Sequence, residues 1–298
     1  MLRFALIGNE YQAKKSVAVQ HIFDFLHDRG AELYIERVYH DFLVREGGLN
    51  LWCTGVFDEL DVDVDFVFSI GGDGTFLKAA SIVGGSGIPI LGINMGRLGF
   101  LADVLPSEVD VALNEIYDQR YRVEDHSVIT IEADGEPISD NPYALNDIAL
   151  LKRDDASMIT LRCSVNGEYL VTYQADGLLI STPTGSTAYN LSTGGPIVVP
   201  SANILCITPV APHSLNIRPI AINDDCVIDL DVESRSHNFL VAIDGRSQKM
   251  REGTRLTIRK ASHKVKIVRL STTRYFSTLR EKLMWGVDQR GVGKCAME

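Results

Sequence analysis

The hydrophobic periodicity of this chain changes character near residue 120, and no other feature of its 298 residues constrains the fold as much. Before that point, short continuous apolar runs alternate with longer stretches whose apolar residues recur at helical spacing. "LRFALIG" opens as a strand, "KKSVAVQHIFDFLHDRG" has the helical spacing and stops at Gly30, and "AELYIERV" is extended again. A short polar helix, the strand "DFVFSI", a helix over about 75–83, the strand "IPILGIN" and a helix in "PSEVDVALNEIYDQR" complete the series. Repeated strand–helix–strand order requires crossover connections, which place the strands parallel with helices on their faces, as in a Rossmann-like α/β domain.

Beyond residue 120 the runs are short, alternate at period two and are separated by turn residues. They are "SVITIEADG", "MITLRCSVNGEYLVTYQ", "NILCITPV", "SLNIRPIAI", "CVIDLDVE", "NFLVAIDGR", "TRLTIRKA" and "KVKIVRL". In the second run, Asn166 and Gly167 stand where a two-residue hairpin needs positive φ twice. The reading is an all-β domain built as a sandwich. The tail "STLREKLMWG" returns to helix, with Leu279, Leu283 and Met284 on one face. The expected division is therefore 1–120, 121–275, and a segment 276–298 that packs back on the first domain.

With 45% hydrophobic residues the chain has enough apolar material for two cores. No apolar run reaches the ~20 residues of a membrane span. The start, "MLRFALIGNE", turns polar too soon for a signal peptide, so a soluble, cytoplasmic protein with no membrane partner is expected. The formal charge of -10 argues against a nucleic-acid partner. The five cysteines are odd in number and lack metal spacing, which favours free thiols.

Against this background, "SIGGDGTFLKAA" (69–80) puts three glycines around one carboxylate at the end of a parallel strand, where ligands bind in such sheets. Gly71, Gly72 and Gly74 would let backbone approach a phosphate, and the following helix start attracts negative charge. Asp73 has two readings. It caps the helix, or it is a general base for a hydroxyl attacking that phosphate, since a carboxylate serves poorly as a phosphate ligand. Lys78, one turn on, is either a phosphate-side cation or a solvated surface lysine. Walker-type and G-x-G-x-x-G loops are both missing. A second constellation, "YQADGLLISTPTGSTAYNLSTGGPIVVP" (173–200), collects hydroxyls and glycines that cannot pack a core alone. There Asp176 could accept from ribose hydroxyls, Thr184, Ser186, Thr187 and Ser192 could donate to phosphate or base, and Tyr189 offers a stacking face.

Taken together, Gly71 to Thr75, "GINMGRLGFLADV" (92–104), Asn146 and Asp147 in "LNDIAL", "DGLLISTPTGSTAYNLSTGGPIV" (176–198) and "ITPVAPHSLNIRPI" (207–220) resemble the NAD kinase family. The loop alone is also similar to phosphofructokinases and diacylglycerol-type lipid kinases; the long threonine–tyrosine run is the specific part. The resemblance implies an α/β domain plus a β-sandwich with the active site between them. It also implies transfer of the γ-phosphoryl of ATP to the 2'-hydroxyl of the adenosine ribose of NAD, with a divalent cation such as magnesium, in a homodimer or homotetramer.

Carried over by position, the resemblance makes Asp73 the base and lays Gly74 against the nucleotide. Asn146 and Asp147 contact ribose, and Asp176 holds the nicotinamide side. Thr187, Ala188, Tyr189, Asn190, Leu191 and Ser192 surround the adenosine, Ala211 closes the pocket, and Lys78 lies near the phosphates. Two positions depart from the family pattern: Asp147 stands where Glu is usual, and Arg246 where Gln is frequent. Arg246 either reaches a phosphate or forms a surface ion pair. Arg97 is either a phosphate ligand or a turn arginine, His213 is read as a structural hydrogen-bonder, and Arg218 as the partner of a neighbouring acid. Two other functions stand beside this one: a lipid or sugar kinase, disfavoured by the lack of a basic amphipathic stretch, and a non-catalytic dinucleotide sensor, disfavoured by Asp73.

Overall fold

In the computed structural model, residues 1–10, 16–46, 51–96, 99–153 and 157–286 are described. The chain forms two compact units. Unit 1 comprises 1–82, 88–124 and 267–298, and unit 2 comprises 83–87 and 125–266.

Unit 1 holds β1 (Arg3–Gly8), α1 (Ser16–Asp28), β2 (Glu32–Glu36), α2 (Arg37–Arg45), β3 (Gly55–Phe57), β4 (Phe66–Gly71), α3 (Asp73–Val83), β5 (Ile90–Asn94) and α4 (Val109–Tyr117). Its strands are parallel in the order β5-β4-β1-β2-β3. The chain winds outward from β1 through β3, then crosses to β4 on the other side of β1. The carboxyl ends of β1 and β4, at Gly8 and Gly71, therefore flank the switch point where ligands bind in open α/β sheets. Central strands β1, β4 and β5 are buried along nearly their whole length, which is why they read as continuous apolar runs. Their side chains form one core with Ile22, Phe23 and Leu26 of α1 and Leu113 and Ile116 of α4.

Unit 2 is built from β6 (Tyr121–Ala133), β7 (Glu136–Pro137), β8 (Tyr143–Ala144), β9 (Asp147–Lys152), β10 (Ile159–Val165), β11 (Glu168–Ala175), β12 (Gly177–Ser181), the single-turn α5 (Tyr189–Ser192), β13 (Ile204–Val210), β14 (Ile220–Asn223), β15 (Ile228–Glu233), β16 (Asn238–Ile243), β17 (Arg246–Arg251) and β18 (Arg255–Leu270). One sheet runs β14-β13-β12-β9-β16-β17 and the facing one includes β11-β10-β15-β18, with antiparallel pairing. Leu178 and Ile180 from the first and Leu161, Leu230 and Ile258 from the second meet in one core, as a sandwich requires. Asn166 (φ 51°) and Gly167 (φ 80°) make the β10–β11 turn with positive φ at both positions.

Four local expectations are corrected. "TRLTIRKA" and "KVKIVRL" are one 16-residue strand. Its buried positions step from Ile258 to Ala261, a three-residue slip of the period, and no turn residue interrupts it. "SLNIRPIAI" is strand only from Ile220, because Pro219 has no N–H for the ladder. The polar edge strand β17 and the three-residue β3 lack the apolar alternation that would reveal them. The last helix, α6 (Tyr275–Leu283), buries Leu279, but Met284 lies past its end in a left-handed conformation and is exposed.

Candidate functional site

The glycine–aspartate loop joins β4 to α3 at the switch point of unit 1. Gly71 is demanded by the protein itself, since a Cβ there would lie 2.1 Å from Thr75 Oγ1. Gly72 and Gly74 are different. A Cβ at either would meet nothing within 4 Å, and neither has positive φ. No close contact or positive φ accounts for their being glycine.

Asp73 neither caps α3 nor points freely outward. Its Oδ1 accepts the amides of Leu101 (3.1 Å) and Ala102 (3.0 Å), and its Oδ2 that of Phe100 (3.0 Å). A Cβ on Gly99 would sit 2.1 Å from Oδ1, so this turn needs its glycine. The same turn is gripped from its carbonyl side by Arg269. That buried guanidinium donates to the Phe100 and Leu101 carbonyls and pairs with Asp103 at 2.6 Å. Burial pushes the Asp103 carboxyl up, and Arg269 opposes the shift. The ammonium of Lys282, on α6, stands 3.7 Å from Asp73 Oδ2 and 4.9 Å from the Phe100 ring centroid.

Lys78 makes an ion pair that the sequence did not suggest. Its ammonium lies 2.7 and 2.8 Å from the two oxygens of Glu36, whose side chain is only 8% exposed. Removing Lys78 would strand a buried carboxylate. Arg97 lies outside the described residues.

In unit 2, Asn146 directly precedes β9 and Asp147 opens it, and both are buried. Asp244 holds them in place, with its Oδ2 accepting the amide of Leu145 (2.8 Å) and its Oδ1 those of Asn146 (2.8 Å) and Asp147 (3.1 Å). Asp244 (φ 48°) and Gly245 (φ 81°) form the two-residue turn between β16 and β17, so the clamp is fixed by a hairpin. Burial, aided by the charge of Asp244, lifts the Asp147 carboxyl to about 7. Asp244 is also raised by burial, against its three amide bonds and the charge of Arg246. Arg246 donates to the carbonyls of Ile243 (3.1 Å) and Tyr143 (2.8 Å), an arrangement the sequence did not suggest.

The hydroxyl-rich run divides into inward and outward residues. Ser186 is fully buried, donating to the carbonyls of Pro183 and Val198 and accepting the Val198 amide. Thr184 is 2.8 Å from His126 Nδ1. Asn190 is also fully buried. It donates to Pro196 O and accepts from Thr208 Oγ1 at 2.7 Å, and a Cβ on Gly195 would strike its amide. Thr184, Ser186 and Asn190 thus shape the loop from within, while Tyr189 and Ser192 face solvent and Thr187, Ala188 and Leu191 are half-buried.

Asp176, between β11 and β12, pairs with Lys152 at 2.9 Å. Ala211 is exposed with φ 44°, a conformation that costs an alanine of order 1 kcal/mol. Arg218 donates to the carbonyls of Leu215 and Ile217; the neighbouring acid that the sequence suggested is not what it grips. A groove of about 950 Å³ in unit 2 holds none of these residues; its charged lining is Asp231, Glu233, Glu252 and Arg235.

Comparison with protein families shows a match of residues 4–121 to the ATP-NAD kinase N-terminal domain and of residues 145–270 to the ATP-NAD kinase C-terminal domain. The chain belongs to the ATP-NAD kinase family. As a family member it is an enzyme and a kinase, which sets aside the sensor. Similar relatives include the NAD kinase of Bacteroides fragilis, 57% identical over 97% of this chain and 100% of its own length, and that of Porphyromonas gingivalis, 40% identical with the same coverage. Among solved structures, an NAD kinase from Archaeoglobus fulgidus in complex with ATP superposes with a TM-score of 0.75 at 25% identity, covering 95% of this chain and 99% of that one. Yeast NADH kinase complexed with NADH has the same fold, with a TM-score of 0.86 at 21% identity over 97% of this chain and 89% of that one.

Three residues of this kinase's candidate site escaped the sequence reading: Asp244, Arg269 and Lys282. Only Asp244 carried a signal, the Asp–Gly pair of a tight hairpin.

Proposed function

We propose that the protein phosphorylates NAD at the 2'-hydroxyl of its adenosine ribose, using the γ-phosphoryl group of ATP, with Asp73 as general base. The observation that carries this is the pair Gly72 and Gly74, glycines with no packing or backbone reason to be glycine, at the switch point of a parallel sheet. A Cβ at either position would occupy the space a phosphate needs.

The ribose oxygen attacks the γ-phosphorus. As the new O–P bond forms, the bond to the β–γ bridging oxygen breaks, its electron pair leaves with ADP, and the hydroxyl proton passes to Asp73. A carboxylate offers roughly four lone-pair sites. Two on Oδ1 and one on Oδ2 are taken by amides, so the vacant site on Oδ2 is the one that takes the proton. The amides fix the carboxylate in direction, which supplies the positioning on which phosphoryl transfer depends.

Asn146 and Asp147 hold the ribose, presented by Asp244. Asp176 takes the nicotinamide side by exchanging its Lys152 partner for ligand hydroxyls. Tyr189 and Ser192, with Thr187, Ala188 and Leu191, face the adenosine; Asn190 supports them from beneath; Ala211 closes the pocket. Gly71, Gly72 and Gly74 border the ATP phosphates. Among the described residues no group of three His, Cys, Asp or Glu side chains could hold a metal ion. Magnesium is taken to enter as the ATP complex, held by phosphate oxygens and water. The described cysteines are free thiols, in keeping with a cytoplasmic setting, and assembly is taken to be a homodimer or homotetramer.

The test is direct: ATP, magnesium and NAD should yield NADP, and failure with every donor and metal tried would sink the reading. Asp73→Asn keeps an acceptor but cannot take a proton, so kcat should fall by ~10²- to 10⁴-fold with NAD binding retained. A near-normal rate would show that Asp73 only holds the turn.

A further inference from the structure

Phosphoryl transfer concentrates negative charge, and the loop that receives it contributes a carboxylate of its own. Besides the magnesium that enters with ATP, a cationic side chain near the loop would offset that charge. Lys78, the basic residue next to the loop in sequence, is held by Glu36. Among the described residues, a cation that stands beside Asp73 comes from the other end of the chain.

Lys282 lies on α6, three residues after Leu279, and residues so spaced share a helix face. Leu279 is 4% exposed and anchors that face in unit 1. The anchored face brings the Lys282 ammonium within 3.7 Å of Asp73 Oδ2 and 4.9 Å from the Phe100 ring centroid. Phe100 is also the residue whose amide binds that same Oδ2. Aromatic ring, carboxylate oxygen and ammonium thus form one node, held on the turn that Arg269 and Asp73 fix from two sides. At 3.7 Å the ammonium neutralises the carboxylate without occupying the acceptor site on Oδ2, and its side chain keeps 30% exposure, enough for a ligand oxygen to reach it.

We propose that Lys282 is the cation of the phosphoryl-transfer site: its ammonium binds oxygens of the transferred phosphate beside Asp73 and stays protonated throughout. The proposal rests on reading the Gly71–Thr75 loop as the ATP site. It assigns to the C-terminal helix the charge that the sequence assigned to Lys78.

The experiment compares wild type, Lys282→Met and Lys282→Arg in NADP formation from magnesium–ATP and NAD, with a thermal melt of each. Met keeps the length and apolar stem without the charge; Arg keeps the charge. The Met variant should lose about 10²- to 10³-fold in kcat, with KM for NAD and the melting temperature unchanged, and Arg should recover most of the loss. A Met variant as active as wild type overturns the proposal. So does an Arg variant as slow as Met, whether or not the melt has shifted, because that pattern belongs to a structural contact. A wild-type protein that makes no NADP overturns the parent reading instead, and this one falls with it.

Discussion

Asp147→Asn should make the protein more stable, by an amount that grows with pH. The carboxyl of Asp147 is raised from 3.8 to about 7, by burial first and by Asp244 second. Because the folded value lies above the unfolded one, the effect on stability is a penalty on the ionised form. Below the unfolded value both states carry the proton and nothing is lost. As pH rises from there toward 7 the unfolded chain releases its proton while the folded chain keeps it, and stability falls by about 1.4 kcal/mol per pH unit. Above 7 the loss levels off at about 4 kcal/mol. Asparagine has no proton to keep, so the variant's advantage should widen by about 2.5 kcal/mol between about pH 5 and about pH 8. Urea unfolding followed by far-ultraviolet circular dichroism across that range measures the difference. Tryptophan fluorescence would not serve, since Trp52 and Trp285 both belong to unit 1 and Asp147 to unit 2. The carboxyl ¹³C shift of Asp147 should titrate near neutrality, and in an Asp244→Asn background it should titrate lower, for want of the neighbouring charge. An advantage independent of pH, or a titration near 4, would refute the reasoning.

Two other substitutions separate ligand space from protein space. Gly74→Ala adds a Cβ that touches nothing and replaces glycine in the first turn of α3, so stability should hold or rise by ~0.5–1 kcal/mol, while kcat/KM for ATP drops more than about tenfold; a lowered melting temperature would contradict the open geometry. Asn190→Ala strips Thr208 and the Pro196 carbonyl of buried partners; unfolding free energy should fall by ~1–3 kcal/mol for each group left unsatisfied, and a variant that melts like wild type but binds NAD poorly would return Asn190 to the role of a direct ligand.

What was legible in the sequence is what local physics controls. β1, β4 and β5 read as strands because burial on both faces makes them apolar throughout, and the β10–β11 hairpin reads because two positive φ angles admit few residues besides Asn and Gly. The loop Gly71–Thr75 was visible for the same reason, as glycine is conspicuous whatever it is for. Illegible was the assignment of partners. A lysine one turn from the Gly71–Thr75 loop and a lysine on the last helix look alike as residue types. Only the fold brings Glu36 to the first and Asp73 to the second, across 42 and 209 positions of chain. The hydroxyl-rich run was ambiguous in the opposite way. Its composition announced a polar loop, but the hydroxyls and amides that grip a ligand are the same groups that tie a loop to itself, and Ser186 and Asn190 turned out to do the tying.

The same logic bears on why a carboxylate sits amid glycines proposed to border phosphate. On charge alone it is a poor choice, but the clamp of the turn that follows β5 needs both carboxylate oxygens: an asparagine could accept two of those three amides and would turn its NH2 donor toward the third. The clamp thus accounts for where the carboxylate points and for why both of its atoms are oxygens. A neighbouring ammonium held short of hydrogen-bonding distance lowers the cost of that charge and leaves one lone pair of Oδ2 open. An acceptor fixed in direction, offset in charge and vacant at one site is what deprotonation of a hydroxyl requires. The Asn variant at position 73 and the Met variant at position 282 therefore probe one arrangement from its two sides. If proton acceptance and phosphate neutralisation are separate steps on a shared carboxylate–ammonium node, the double variant should lose less than the product of the two single losses.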